Sequence, residues 1–164
     1  MTILTRIIST VLLVAAVSLL GGCGSGPPPP PPPPPPTLVE LTFTAAADVN
    51  PDPSGRPSPI FVRFYQLGAT ETFATVDYFQ LHDKDSAILG PSLLDRQELP
   101  LTPGESQTIK FTPKPGTVAI GVVAAYRDID HAQWRAQAPV APNKTNKLLV
   151  QLNKLALSVA TDTK

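Results

Sequence analysis

Thr117-Val118-Ala119-Ile120-Gly121-Val122-Val123-Ala124-Ala125-Tyr126 is the stretch that decides the fold. In an extended chain Val118, Ile120 and Val122 point one way, and Ala119, Val123 and Ala125 point the other. A strand that is apolar on both faces needs cover on both sides, so this one is central. Its neighbours alternate instead. Val39, Leu41 and Phe43 interleave with Glu40, Thr42 and Thr44. Ile60, Val62 and Phe64 share a face, with Arg63 and Tyr65 on the other. Ile109 and Phe111 alternate with Thr108, Lys110 and Thr112. Leu148, Val150 and Leu152 form another set of period two, and Leu155, Leu157 and Val159 another. A short strand is also expected around residues 134–140.

Turn residues separate these runs. Asn50-Pro51-Asp52-Pro53-Ser54-Gly55 divides the first two, and Pro103-Gly104 and Pro115-Gly116 bracket the strand of Ile109. Pro139, Pro142 and Asn143 precede the strand of Leu148. The pattern predicts an all-β fold, a two-sheet β-sandwich. One segment departs from it. Phe73, Val76, Phe79 and Leu81 are spaced nearer to three than to two, which predicts a short helix packed on the sandwich, with Thr70 or Thr72 as its N-cap. His82-Asp83-Lys84-Asp85 beyond it reads as a solvated loop.

The N-terminus is a targeting segment. Arg6 is the only charged residue before Cys23, and an apolar run of 14 residues, 7–20, follows it. A bilayer-spanning helix needs roughly 20. Leu20-Gly21-Gly22-Cys23 resembles the bacterial lipobox, in which the cysteine sulfur takes diacylglycerol and the peptidase cuts before it. Cys23 is the only cysteine of the chain, so it has no disulfide partner within it. Residues 1–22 are therefore expected to be a signal peptide, and Cys23 a lipidation site. Gly24 stands where lipoproteins kept at the inner membrane often carry aspartate, which points to the outer membrane of a Gram-negative cell. Residues 27–36 are ten consecutive prolines. Such a run joins neither helix nor sheet and forms a stiff rod, reaching about 30 Å at roughly 3.1 Å per residue. Residues 23–37 thus read as lipidated cysteine plus tether, 38–160 as the sandwich domain, and 161–164 as a C-terminal tail.

Little in the chain speaks of chemistry. The 164 residues carry 13 basic and 13 acidic side chains, which leaves no basic footprint for nucleic acid. The two histidines, His82 and His131, have neither a cysteine nor another histidine close in sequence to complete a metal set. Asp128, Asp130 and His131 read as a polar turn. No G-x-S-x-G elbow is present, and Gly55, Gly104 and Gly116 are isolated turn glycines rather than a phosphate loop. No catalytic residue, metal, cofactor or small-molecule substrate is expected. The loop 46–58 is different. It is long for a connection between strands. Pro51, Pro53 and Pro57 stiffen it, and Asp48, Asp52 and Arg56 charge it. A stiffened loop loses little entropy on docking.

Asp48-Val49-Asn50-Pro51-Asp52, followed by Gly55-Arg56-Pro57-Ser58-Pro59-Ile60-Phe61-Val62-Arg63-Phe64-Tyr65-Gln66-Leu67, resembles the opening of the TssJ (VasD/Lip) lipoproteins of type VI secretion systems. The resemblance continues through Phe73, Asp77-Tyr78-Phe79 and Leu101-Thr102-Pro103-Gly104. It resumes at Gly121-Val122-Val123-Ala124-Ala125-Tyr126-Arg127-Asp128 and at Trp134-Arg135. The ten-proline tether is not a feature associated with that family. The resemblance implies a transthyretin-like two-sheet sandwich with a small helical addition. It also implies a non-enzymatic outer-membrane subunit of the trans-envelope complex, which binds the periplasmic C-terminal part of the inner-membrane protein TssM. It places that contact on the loop after the first strand, here Asp48, Val49, Asn50, Pro51, Asp52, Pro53, Ser54, Gly55 and Arg56. Two other classes compete. A glycan- or peptidoglycan-binding lipoprotein would need exposed aromatics, and Trp134, the only tryptophan, is expected in the core. A transthyretin-like hydrolase would need a site lined by histidine and arginine, whereas both histidines fall in expected loops.

Overall fold

A computed structural model describes residues 30–162. The signal segment 1–22, Cys23, the first prolines of the tract and the last residues of the tail lie outside the described residues. Pro30, Pro33 and Pro36 are exposed and belong to no regular element, as do the prolines between them.

From Leu38 the chain forms eight strands: β1 (Leu38–Ala45), β2 (Ile60–Leu67), β3 (Leu93–Leu101), β4 (Ser106–Phe111), β5 (Ala119–Ala124), β6 (Arg135–Pro139), β7 (Thr145–Leu152) and β8 (Leu157–Thr161). They make two four-stranded sheets, ordered β4-β1-β7-β8 and β3-β2-β5-β6. Every pairing is antiparallel except β1 with β7, where Leu41 lies beside Leu148 and Phe43 beside Val150. The inward residues of both sheets make the main core. Phe43 meets Phe64 across it at 5.9 Å between ring centroids, and Phe64 meets Phe111 at 5.8 Å. Each such fully buried side chain contributes roughly 1.5–3 kcal/mol. As expected for a central strand, all six residues of β5 are buried.

The second cover of β5 is helical. α1 (Glu71–Thr75) and α2 (Tyr78–Leu89) lie over the outer face of the second sheet. Tyr65, Leu67 and Val123 from the sheet meet Phe73, Leu81 and Leu89 from the helices in a second apolar cluster. Gly121 permits this close approach, because a Cβ there would stand 2.6 Å from the Phe73 ring. Arg135 reaches from β6 to donate to the carbonyls of Phe73 at 2.8 Å and Val76 at 2.6 Å. These are carbonyls at the end of α1, where a cation is favoured.

Two sequence expectations are corrected here. The helical addition is longer than the segment around Phe73–Leu81 implied, since a second helix continues to Leu89. His82-Asp83-Lys84-Asp85 is not a solvated loop: it lies inside α2, at a kink on Lys84, and although His82, Asp83 and Lys84 are exposed, Asp85 is buried at 3% exposure. Its carboxylate is paired to Arg96 and sits 3.2 Å from Arg63, which also binds Glu98 at 2.8 Å. Burial alone pushes the Asp85 carboxyl up. The Arg96 hydrogen bond, the Ser86 amide and the two guanidinium charges outweigh that and hold it below the usual range. Thr70, one of the two expected positions, does stand at the N-cap of α1, though without a side-chain cap bond, and Asp77 caps α2 by accepting from the Gln80 amide at 3.0 Å.

β1 fixes the polarity of the domain. At its start, the Leu38 amide binds the Lys144 carbonyl at 3.1 Å, and Thr37 accepts from the Asn143 amide at 2.8 Å. At its finish, Ala45 leads into the long loop. Eight extended residues separate the two ends by about 27 Å at roughly 3.4 Å per residue.

Candidate functional site

The loop between β1 and β2 is an ordered structure pinned at its base. Val49 is fully buried and Asn50 nearly so. The Asn50 backbone has a positive φ of 49°, a conformation asparagine tolerates better than most residues. Its side chain donates to the Pro59 carbonyl at 2.9 Å and accepts from the Arg127 amide at 2.8 Å. Its own amide reaches the Lys154 carbonyl at 3.1 Å. One asparagine therefore ties three loops together: its own, the β5–β6 loop and the β7–β8 turn. The Ser58 amide closes the base on the Val49 carbonyl at 3.2 Å.

The tip is organised by Asp52. Its carboxylate accepts from the Ser54 amide at 2.9 Å, the Arg56 amide at 3.0 Å and the Arg56 guanidinium at 3.2 Å. The Arg56 amide, ahead of the Ser54 amide and the Arg56 charge, holds this carboxyl below the usual range. The Asp52 amide in turn binds the Arg56 carbonyl at 2.8 Å. Gly55, at φ 81°, completes the turn in a region that L side chains rarely adopt.

Adjacent loops extend this surface. Tyr126 donates to the Asn153 carbonyl at 3.1 Å, and burial pushes its phenol up from the usual value. His131 pairs with Asp128 at 2.7 Å, and that hydrogen bond and charge raise the imidazole above its ordinary value. Pro51, Asp52 and Pro53 form one wall of an open cleft of about 410 Å³, and Arg127, Asp128 and Leu155 form the other.

Of the nine residues expected at the contact, Asp48, Pro53, Ser54, Gly55 and Arg56 are exposed, and Pro51 and Asp52 are partly so. Val49 and Asn50 face inward and serve as the loop's foundation. The second wall, Arg127, Asp128 and Leu155, was legible only as turn chemistry, because nothing local says which turn lies beside which. The two histidines have separate partners, since His82 stacks on Tyr78 at 5.4 Å. Among the described residues no group of three or more His, Cys, Asp or Glu is arranged to hold a metal. What this geometry offers is a rigid, charged, proline-stiffened surface.

Comparison with known proteins gives a consistent answer. The family model described as type VI secretion lipoprotein (VasD, EvfM, TssJ) matches residues 37–155. The crystal structure of the type VI secretion lipoprotein TssJ1 from Pseudomonas aeruginosa is 35% identical. It aligns over 79% of this chain and 99% of its own, with a TM-score of 0.76. Lip from Serratia marcescens, described as a membrane-bound component of the type VI secretion system, is 25% identical. It aligns over 76% of this chain and 97% of its own, with a TM-score of 0.70. A chain in a structure described as the TssM C-terminal domain from EAEC is 21% identical over 76% of this chain and 98% of its own. Its TM-score of 0.61 is a likeness of fold alone. No curated protein sequence matches the chain.

Proposed function

This chain belongs to the type VI secretion lipoprotein family, and from that premise we propose that it is a bridge between a membrane and a protein partner. It is a lipoprotein component of the secretion machine and not an enzyme. In the proposed bridge, lipid on Cys23 holds one end in the outer membrane, on its periplasmic face. Residues 46–56 at the other end bind the periplasmic C-terminal domain of a TssM-type inner-membrane protein. Residues 1–22 are removed, 23–37 form the lipidated cysteine and tether, and the sandwich begins at 38 and runs one residue beyond the expected 160, to Thr161 at the end of β8, which shortens the tail to 162–164.

The observation that carries this reading is the placement of the two ends. The chain enters the sandwich at Leu38, and the pinned loop projects beyond Ala45 at the opposite end of β1. Each buried methylene is worth about 0.8 kcal/mol, so several acyl chains hold the cysteine firmly. The proline tract adds a spacer of about 30 Å.

The loop assignment is tested by Asp52→Ala combined with Arg56→Ala. Both side chains organise the tip, so their loss should weaken capture of the TssM periplasmic domain by at least tenfold. Unchanged capture would remove the loop from the contact.

A further inference from the structure

We propose that the partner-binding surface continues from the loop onto an aromatic face formed by Phe61, Tyr78, Phe79 and His82, and that this face receives apolar side chains of the same TssM-type domain. This rests on the reading above and enlarges its site.

Size is the first reason. A stable protein–protein interface takes roughly 20–30 residues a side, and its strongest contacts centre on aromatic or arginine anchors. The loop 46–56 is too small by itself, because Val49 and Asn50 are turned inward, and it contains no aromatic residue.

Location is the second. Among the described residues the exposed large apolar side chains are Leu38, Phe61, Phe79, Val118 and Leu149. Leu38 and Val118 lie at the tether end, the latter bonded to the Leu67 carbonyl at the finish of β2. Leu149 alternates with the buried Leu148 and Val150, so it faces outward from the other sheet. Phe61 and Phe79 remain, and they are the most exposed of the five, at 56% and 60%. Phe61 stands two residues after Pro59, whose carbonyl Asn50 holds, and its own carbonyl accepts from the Ala125 amide at 2.9 Å.

Continuity is the third. Phe61, Tyr78, His82 and Ala125 border one shallow depression, whose remaining lining includes Val123 and the paired Arg63 and Glu98. Tyr78 meets the Phe79 ring edge-on at 5.4 Å, stacks on His82 at 5.4 Å, and touches Trp134 at 5.3 Å. Trp134 accepts the Ala124 amide where β5 passes into the β5–β6 loop, the loop that Asn50 binds. The face is therefore linked to the candidate loop through the β5–β6 loop. It is also rigid: Asp77 caps α2 directly before Tyr78, and Asp85 locks the helix to β2 and β3. Rigid aromatics bind at low entropic cost.

The test uses the mature lipidated chain in detergent, titrated with the TssM periplasmic C-terminal domain. Phe61→Ala with Phe79→Ala should weaken binding by more than tenfold at unchanged melting temperature. Phe61→Leu with Phe79→Leu should restore it to within about threefold, and Leu38→Ala with Val118→Ala should leave it unaltered. If the alanine pair binds within twofold of wild type while Asp52→Ala with Arg56→Ala is impaired, the aromatic face is overturned and the loop stands. If the alanine pair is impaired and the loop pair is not, the face stands and the loop falls. If the alanine pair alters only self-association in sedimentation, or only retention on peptidoglycan, the occupant is a second copy or a glycan, and the proposal is overturned.

Discussion

Asn50→Ala should destabilise the domain by about 3 kcal/mol and loosen the loop without touching its exposed tip. The native side chain satisfies the Pro59 carbonyl at 2.9 Å and the Arg127 amide at 2.8 Å from a buried position. Alanine leaves both groups unmatched. An orphaned buried polar group costs roughly 1–3 kcal/mol, and water close to this rim keeps each at the low end, about 1 kcal/mol. The positive φ of 49° adds roughly 1 kcal/mol for a residue with a Cβ and no local hydrogen bond. Equilibrium urea unfolding measures the sum. Asn50→Gly separates the parts, because glycine removes the hydrogen bonds but accepts the backbone angle; it should cost about 1 kcal/mol less than alanine. Binding of the TssM domain should weaken in both variants, because the loop loses its side-chain bonds to the Pro59 carbonyl and to the β5–β6 loop. A loss under about 0.5 kcal/mol in Asn50→Ala, or equal losses in the alanine and glycine variants, would refute the reasoning.

Asp85→Ala takes from Arg63 its buried anionic partner, leaving the guanidinium the His82 carbonyl and Glu98, and breaking a buried pair costs about 3–5 kcal/mol. Arg96 is half exposed at 49% and can turn to water, so the lower figure applies, seen as a drop in the urea midpoint. The same carboxyl gives a pH dependence. Its folded pKa is depressed, so its contribution is complete above the unfolded value near 3.9 and fades as pH falls towards the folded value. Acid titration of wild type should show that loss, and Asp85→Asn should lack the Asp85 share of it. Gly121→Ala would place a methyl 2.6 Å from the Phe73 ring and should cost about 1–3 kcal/mol in thermal unfolding; adding Phe73→Leu should recover part of it.

The sandwich was largely legible because period-two alternation is a strong local signal, which the inward residues of β1, β2, β4 and β7 follow, and because β5 is apolar on both faces. β3 escaped notice for a physical reason. It is an edge strand whose middle, Asp95-Arg96-Gln97-Glu98, is polar, and only Leu99 and Leu101 are buried. The part of α2 beyond Leu81 escaped for another. Leu81, Asp85 and Leu89 are its buried residues, spaced four apart, but a carboxylate in the middle disguises the stripe. Its neutralising partners, Arg63 and Arg96, sit on β2 and β3, far off in sequence. For the loop, prolines and charges marked residues 46–58 as a stiff segment. The inward turn of Val49 and Asn50 depends on bonds to Arg127 and Lys154, which no local pattern reveals. The continuity of the loop with Phe61 and Phe79 is likewise a property of the assembled sheet and helices.

Cys23→Ser tests the bridge most directly, because it cuts one end and leaves the other intact. The account predicts a variant that folds and binds the TssM periplasmic domain with wild-type affinity, yet leaves the outer-membrane fraction and no longer supports type VI secretion. Normal secretion by a Cys23→Ser strain would contradict the bridge.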